Sequence, residues 1–139
     1  MRLQILAAVL LGVWVLSCFD SNVDAESSVP VVKIFARQRT FNPEVVVLKM
    51  GRPVALVIEN QDVELHAFVP LLLFQGLNVQ VTGNGAPEFN EAGLARVLIP
   101  PKGHAQIKFT PPAAGRFFYI CDLPGHQMRG EIIITPDSL

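Results

Sequence analysis

The sequence of 139 residues is poor in cysteine and histidine, with two cysteines and three histidines. Cys18 lies in the N-terminal apolar stretch, so a processed chain that loses this stretch keeps only Cys121. Such a chain cannot form an internal disulfide. An unpaired thiol outside the cytoplasm is prone to oxidation, so we expect Cys121 to be either buried or occupied, for example by a metal.

Positive and negative charges are nearly balanced, since the sequence has 11 basic and 12 acidic residues. Removing residues 1–25 takes away Arg2, Asp20 and Asp24 and leaves ten of each sign. Nucleic acid binding calls for a basic surface. The composition therefore argues against nucleic acid as a partner, and it gives no support to a strongly charged docking face.

The longest hydrophobic run, residues 5–16, is too short to span a membrane comfortably, since spanning needs about 20 apolar residues. It follows Arg2 and precedes Val23-Asp24-Ala25, where small or aliphatic residues occupy the two positions that a signal peptidase reads. We therefore predict that residues 1–25 are a signal peptide and that residues 26–139 form the exported domain.

A second processing signal overlaps the first. Val15-Leu16-Ser17-Cys18 resembles a lipobox, in which Cys18 would become the lipidated N-terminus, although Leu16 is a less usual residue at its position. Cleavage after Ala25 is the preferred interpretation. With either signal the protein is predicted to be periplasmic or otherwise exported, and a lipid on Cys18 is the only membrane attachment that we expect.

Long helical patterns are missing from residues 26–139, which instead contain short apolar runs separated by turn residues about every 8–12 positions. This spacing predicts an all-β Greek-key β-sandwich of seven to eight strands. The continuous apolar run at residues 54–58 indicates a strand buried on both faces. Residues 70–95 show no regular pattern, and we expect a long connection there with one turn of helix at residues 88–92.

The residues with the most chemistry lie together near the C-terminus. Cys121, His126 and Met128 fall within eight residues, between two predicted strands. A thiolate, an imidazole and a thioether suit copper better than magnesium or calcium, which prefer oxygen ligands. A further ligand must come from elsewhere, and His66 follows a strand whose end could meet this loop. His104 begins an alternating strand and is expected on the surface.

Two imidazoles and a thiolate in one plane, with a weak axial thioether, form the ligand set of electron-transfer copper sites. Around this set the sequence resembles the cupredoxin family, in its small plastocyanin- and azurin-like members. The resemblance implies an eight-stranded Greek-key sandwich with one copper ion bound by His66, Cys121 and His126. The motifs that carry it span nearly the whole exported domain: Phe41-x-Pro43, Gly51-x-Pro53-Val54, Glu59-Asn60-x-Asp62, His66-x-Phe68, Pro100-x-x-Gly103, Gly115-x-x-x-Tyr119-x-Cys121 and the Cys121-x-x-x-x-His126 spacing.

The resemblance leaves the axial ligand open. Met128-Arg129-Gly130 keeps the Met-x-Gly ending of azurin-like loops, but only Gln127 separates His126 from Met128. Counting from the histidine, as in multicopper-oxidase loops, places Glu131 at the axial position. Met128 is the preferred candidate, Glu131 is its rival, and a site without an axial ligand is the third alternative.

The expected function is transfer of one electron at a time between redox protein partners, with copper cycling between Cu(I) and Cu(II). The alternative is a copper delivery or storage protein that uses the same ligands and serves copper-accepting proteins. An enzyme is not expected, because it would need further copper ligands and usually a second domain. The apolar residues 71–74 are expected to pack near the site, or else to form a docking patch around the edge of His126.

Overall fold

A computed structural model describes residues 28–138, which form eleven β-strands and no helix. None of these residues therefore belongs to a helix that could cross a membrane. The predicted signal peptide, with Cys18, lies outside the described residues. The strands are β1 (Val31–Arg37), β2 (Thr40–Asn42), β3 (Val45–Lys49), β4 (Val54–Asn60), β5 (His66–Phe68), β6 (Gln80–Gly83), β7 (Ala86–Asn90), β8 (Gly93–Ile99), β9 (His104–Phe109), β10 (Gly115–Ile120) and β11 (Arg129–Thr135).

The strands form two layers. One layer is a five-stranded sheet in the order β2-β1-β4-β9-β6. The other contains two three-stranded sheets, β10-β11-β3 and β5-β8-β7, joined by a β-bridge between Val69 and Ile120. The predicted all-β sandwich is confirmed, with eleven strands in the described residues in place of the seven to eight expected.

Alternation of side chains determines which face of each strand is buried. In β3, Val46 and Leu48 are buried, whereas Val45 and Val47 point outwards. In β4, which lies between β1 and β9, all of residues 54–58 are buried, as the continuous apolar run predicted. The apolar side chains of both layers meet in one core, which supplies the main stabilisation of the sandwich.

The prediction of a long connection at residues 70–95 was wrong, because two strands form there. Residues 80–83 form strand β6, which pairs with β9. Residues 86–90 form strand β7, which pairs with β8 as a hairpin, in place of the expected turn of helix. The turn between them uses Gly93 at a φ of 119°, and Oδ1 of Asn90 accepts a hydrogen bond from the amide of Ala92. Every residue of β7 is exposed, so no buried alternation marked this strand in the sequence.

One end of the sandwich brings together segments that are far apart in the sequence. The bridge from Val69 to Ile120 is closed by two backbone hydrogen bonds of 2.9 and 3.1 Å. It places the short strand β5 beside the end of β10. His66 begins β5 and Cys121 directly follows β10, so the two residues meet at this end.

Candidate metal centre

The loop between β10 and β11 is closed by its own backbone. The amide of Cys121 donates to the carbonyl of Met128 across 3.0 Å, and the amide of His126 donates to the carbonyl of Leu123. Gly125 has a φ of 79°, and Pro124 precedes it, which is the residue order of a type II turn. This tight turn folds His126 back towards Cys121.

The segment before His66 is organised by Asn60, which is 1% exposed. Its Nδ2 donates to the carbonyl oxygens of Glu64, Ile99 and Pro100 at 2.8–3.1 Å. Its Oδ1 accepts a hydrogen bond from the amide of Asp62. The buried amide therefore fixes the path of residues 61–65 between β4 and β5.

Asp62 determines which nitrogen of His66 faces the site. Its Oδ2 lies 2.8 Å from Nε2 of His66. An ionised carboxylate can only accept hydrogen bonds, so Nε2 carries the hydrogen and Nδ1 of the neutral ring keeps its lone pair. Burial acts to raise the pKa of Asp62, but hydrogen bonds from the amide of Gln38, from His66 and from the amide of Arg39 hold it below its ordinary value.

Three potential ligand atoms converge in this pocket. Nδ1 of His126 lies 3.2 Å from Nδ1 of His66 and 3.3 Å from Sγ of Cys121. All three atoms lie within 4.8 Å of one another. His66 is fully buried, Cys121 is 4% exposed, and the side chain of His126 is 7% exposed. Residues 60 positions apart in the chain thus share one small pocket.

This arrangement fits a soft metal ion in both chemistry and size. Bonds of about 2.0–2.3 Å to nitrogen and sulfur place the ligands of a trigonal ion roughly 3.5–4 Å apart. The nitrogen and sulfur atoms at 3.2 and 3.3 Å would need to separate by only a few tenths of an ångström. Two imidazole nitrogens and one thiolate are ligands that copper accepts.

The two candidates for the axial position lie in different surroundings. Met128 is 2% exposed and belongs to the buried core together with Cys121. Glu131 lies on the outer side of β11, and its carboxylate forms a two-point ion pair with Arg116. The structure therefore brings Met128 to the buried end of the ligand loop, whereas Glu131 is engaged elsewhere.

A charged pair lies outside His126. Oε2 of Glu64 is 3.8 Å from Nε2 of His126, which is too long for a hydrogen bond. The same carboxylate receives two hydrogen bonds from the guanidinium of Arg39, at 2.6 and 2.7 Å. The hydrogen bonds from Arg39 hold the pKa of Glu64 below its ordinary value. The Nε2 edge of His126 therefore lies near a carboxylate whose negative charge is balanced by Arg39.

The structure also tests the predictions for His104 and for residues 71–74. His104 is exposed, as predicted for a surface histidine. The segment at residues 71–74 is divided, because Leu73 and Phe74 are buried in the core, whereas Leu71 and Leu72 are 49% and 67% exposed. Phe74 packs edge-on against Phe109.

Sequence reasoning missed the supporting residues of the site. Asn60 and Asp62 were noted only as part of a motif, and Glu64 was not considered. The Asn60-x-Asp62 pair directly after an apolar strand was the available signal, since Asn and Asp often bind nearby backbone groups. Their contacts with His66 and with Pro100 depend on tertiary structure.

The fold and this pocket agree with the family comparison, in which residues 7–134 match the cupredoxin-like domain family. This chain belongs to the cupredoxin-like family. Among curated proteins it resembles Laccase-7 of Oryza sativa subsp. japonica, with 28% identity over 121 residues, 81% of this chain and 22% of that protein. The chain thus spans about a fifth of the length of the curated relative it matches.

The solved structures that are similar in fold to this cupredoxin include two auracyanins. Auracyanin A of Chloroflexus aurantiacus, described as a "blue" copper protein, has a TM-score of 0.55 and 18% identity, covering 76% of this chain and 98% of that one. Auracyanin B has a TM-score of 0.57 and 23% identity, covering 84% and 96%. At this level of identity the likeness concerns the fold.

Proposed function

We propose that this protein binds one copper ion and carries single electrons between redox protein partners. The observation that carries the proposal is the convergence of two imidazole nitrogens and one thiol sulfur, all within 4.8 Å. The proposed copper ligands are His66, Cys121 and His126, with Met128 as the axial residue. The copper named in the description of auracyanin A supports the choice of metal.

When bound, copper supplies a one-electron couple at ordinary biological potentials. The residues of this chain hold the ligands in place. Asp62 orients His66, the turn at Gly125 orients His126, and the amide of Ala67 donates to Sγ of Cys121 across 3.3 Å. Because His66 and Ala67 lie in β5 and Cys121 directly follows β10, we expect little rearrangement between oxidation states.

Delivery or storage of copper is the second candidate, and one observation favours it. A cavity of about 170 Å³ opens beside Met128 and is lined on its other sides by Arg39, Thr40, Phe41, Glu44, Gln127 and Arg129. A small ligand or an accepting protein bound in this cavity would approach the metal from the side of Met128. Copper-accepting proteins would then be the partners.

We propose that this chain by itself does not turn over a substrate. Within residues 28–138, the other group of potential metal ligands is Asp62, Glu64 and His66, which shares His66 with the first group. A second, independent metal centre is therefore not supported by this arrangement. The likeness to a laccase covers 22% of that protein, and its activity is not carried over.

Export to the periplasm, with the signal peptide at residues 1–25 or a lipid on Cys18, is part of the proposal and rests on the sequence alone. Fractionation of cells that express the full chain tests it. A soluble periplasmic protein that begins at residue 26 supports cleavage after Ala25. A membrane-bound protein that begins at a lipidated Cys18 supports the lipobox, and an unprocessed cytoplasmic protein contradicts export.

Addition of Cu(II) to the purified protein tests the function. An intense thiolate-to-copper absorption and a reversible one-electron titration are expected for a carrier. A colourless protein that binds only Cu(I) would rule out the carrier and favour delivery. His126→Ala should lose the absorption, whereas His104→Ala, at an exposed histidine, is the matched control and should keep it.

A further inference from the structure

Both histidines of the site have a carboxylate beyond the ring nitrogen that faces away from the thiol. Nε2 of His66 is 2.8 Å from Oδ2 of Asp62, and Nε2 of His126 is 3.8 Å from Oε2 of Glu64. Both acids come from the segment that directly precedes His66 in the sequence. One short segment therefore supplies negative charge behind both imidazoles.

Asp62 is fixed more firmly than a surface acid. Its two oxygens accept hydrogen bonds from the amides of Gln38 and Arg39 at 2.8 and 3.1 Å. These two residues have φ values of 52° and 55°, a left-handed conformation that is uncommon outside glycine. The turn thus directs two successive amides at the carboxylate of Asp62, whose side chain is only 16% exposed.

We propose that Asp62 is a positioning residue that strengthens His66 as a copper ligand and biases the site towards Cu(II). This inference rests on the proposed copper function. A carboxylate that accepts the Nε2 hydrogen of a ligand histidine fixes the tautomer and raises the basicity of the other nitrogen. Cu(II) carries one more positive charge than Cu(I), so nearby negative charge favours the oxidised ion.

Glu64 is expected to contribute less than Asp62, for two reasons. Its carboxylate is paired with Arg39 through two hydrogen bonds, which compensate its charge. It is also 1.0 Å farther from its histidine than Asp62 is and, at 34% side-chain exposure, is better screened by water. This geometry therefore predicts that replacement of Asp62 changes the copper site more than replacement of Glu64 does.

The first test compares three variants of the copper-loaded protein. Asp62→Asn should lower Cu(II) affinity by about 10–100-fold, the usual loss for such supporting residues. If the fold loss of Cu(I) affinity is ten times smaller than that of Cu(II) affinity, the reduction potential rises by about 59 mV. Glu64→Gln should shift the potential in the same direction by a smaller amount. Asp137→Asn is the matched control, because Asp137 pairs with Arg52 beyond the far end of β11.

The second test uses the metal-free protein and does not depend on copper. Nitrogen-15 NMR of the imidazoles should place the hydrogen of neutral His66 on Nε2 in the wild-type protein. Asp62→Glu keeps the charge and should restore part of the affinity lost in Asp62→Asn. If Asp62→Asn does not fold, the wild-type tautomer and the Glu64→Gln and Asp62→Glu variants decide the question.

Two results would overturn the inference. One is a hydrogen on Nδ1 of His66 in the metal-free protein. The other is an Asp62→Asn potential equal to that of Asp137→Asn, even with reduced thermal stability, because this would restrict Asp62 to holding the loop. A wild-type protein without a reversible copper couple would instead refute the proposed function, and the NMR result on His66 would still stand.

Discussion

The backbone amide of Ala67 donates a hydrogen bond to Sγ of Cys121 across 3.3 Å, although 54 residues separate them. The contact exists because the bridge between Val69 and Ile120 seats β5 beside the end of β10. A donor aimed at sulfur stabilises negative charge there. The position of the sulfur therefore depends on strands β5 and β10 as well as on the loop that follows Cys121.

Replacement of Cys121 is the most direct test of the ligand set. Cys121→Ser should abolish the thiolate-to-copper absorption and lower copper affinity by more than about 100-fold, since a ligand matters more than its supporting residues. The measurement is a copper titration followed by visible absorption. His104→Ala, at an exposed residue outside the site, is the control and should leave the spectrum unchanged. An unaltered spectrum in Cys121→Ser would remove the site assignment.

The choice between Met128 and Glu131 can be tested with two nearly isosteric substitutions. Met128→Leu conserves volume and should cost less than about 1.5 kcal/mol in stability. Loss of the thioether should raise the reduction potential by roughly 60 mV, a tenfold change in the Cu(II)/Cu(I) ratio. Glu131→Gln should leave the reduction potential unchanged. The reverse outcome would identify Glu131 as the axial residue.

Gly130 is required by the ring of Tyr119, its neighbour across the β10–β11 ladder. A Cβ at position 130 would lie 2.2 Å from Cζ of Tyr119, and this ring is 1% exposed and packed against Phe41 and Phe68. Gly130→Ala should therefore destabilise the protein by about 1–3 kcal/mol or more.

Thermal unfolding of the metal-free protein measures the effect of Gly130→Ala. Gly115→Ala is the matched control on β10, because its Cβ would meet the ring of Phe117 at 3.2 Å. That ring is only half-buried, so we expect it to shift at a smaller cost than the buried ring of Tyr119. Equal melting temperatures for the two variants would contradict the packing argument.

The ion pair between Arg116 and Glu131 predicts a dependence of stability on pH. Hydrogen bonds from the Arg116 guanidinium hold the pKa of Glu131 below its ordinary value. A group whose pKa is depressed by folding stabilises the protein above its unfolded pKa, about 4.3 for Glu, and this contribution disappears as the pH falls through the folded pKa.

Urea unfolding of the metal-free protein checks this dependence. Glu131→Gln should be less stable than wild type at pH 7, and the difference should shrink as the pH falls below about 4.3 and vanish at a low pH below the folded pKa of Glu131. The control is Glu91→Gln, at an exposed residue in the β7–β8 turn. A difference that persists unchanged at the low pH would show that the ion pair is not its source.

Prediction from sequence succeeded where local pattern and burial agree. Residues 54–58 of β4 are apolar without interruption, and they lie in a central strand with both faces covered. Strand β7 was missed because it is an exposed edge whose pairing with β8 is its main constraint. An exposed strand carries no hydrophobic alternation, so only its partner reveals it.

The sequence by itself determined the β class, the candidate ligands Cys121, His126 and Met128, and the choice of His66 over His104 as the further candidate. These follow from residue chemistry and short-range spacing. Only the tertiary structure decided that the three ligand atoms converge, that Met128 is buried while Glu131 pairs with Arg116, and that Asp62 lies behind His66. The physical reason is that these contacts join separate strands and the loops between them, so their distances depend on how the strands pair and pack.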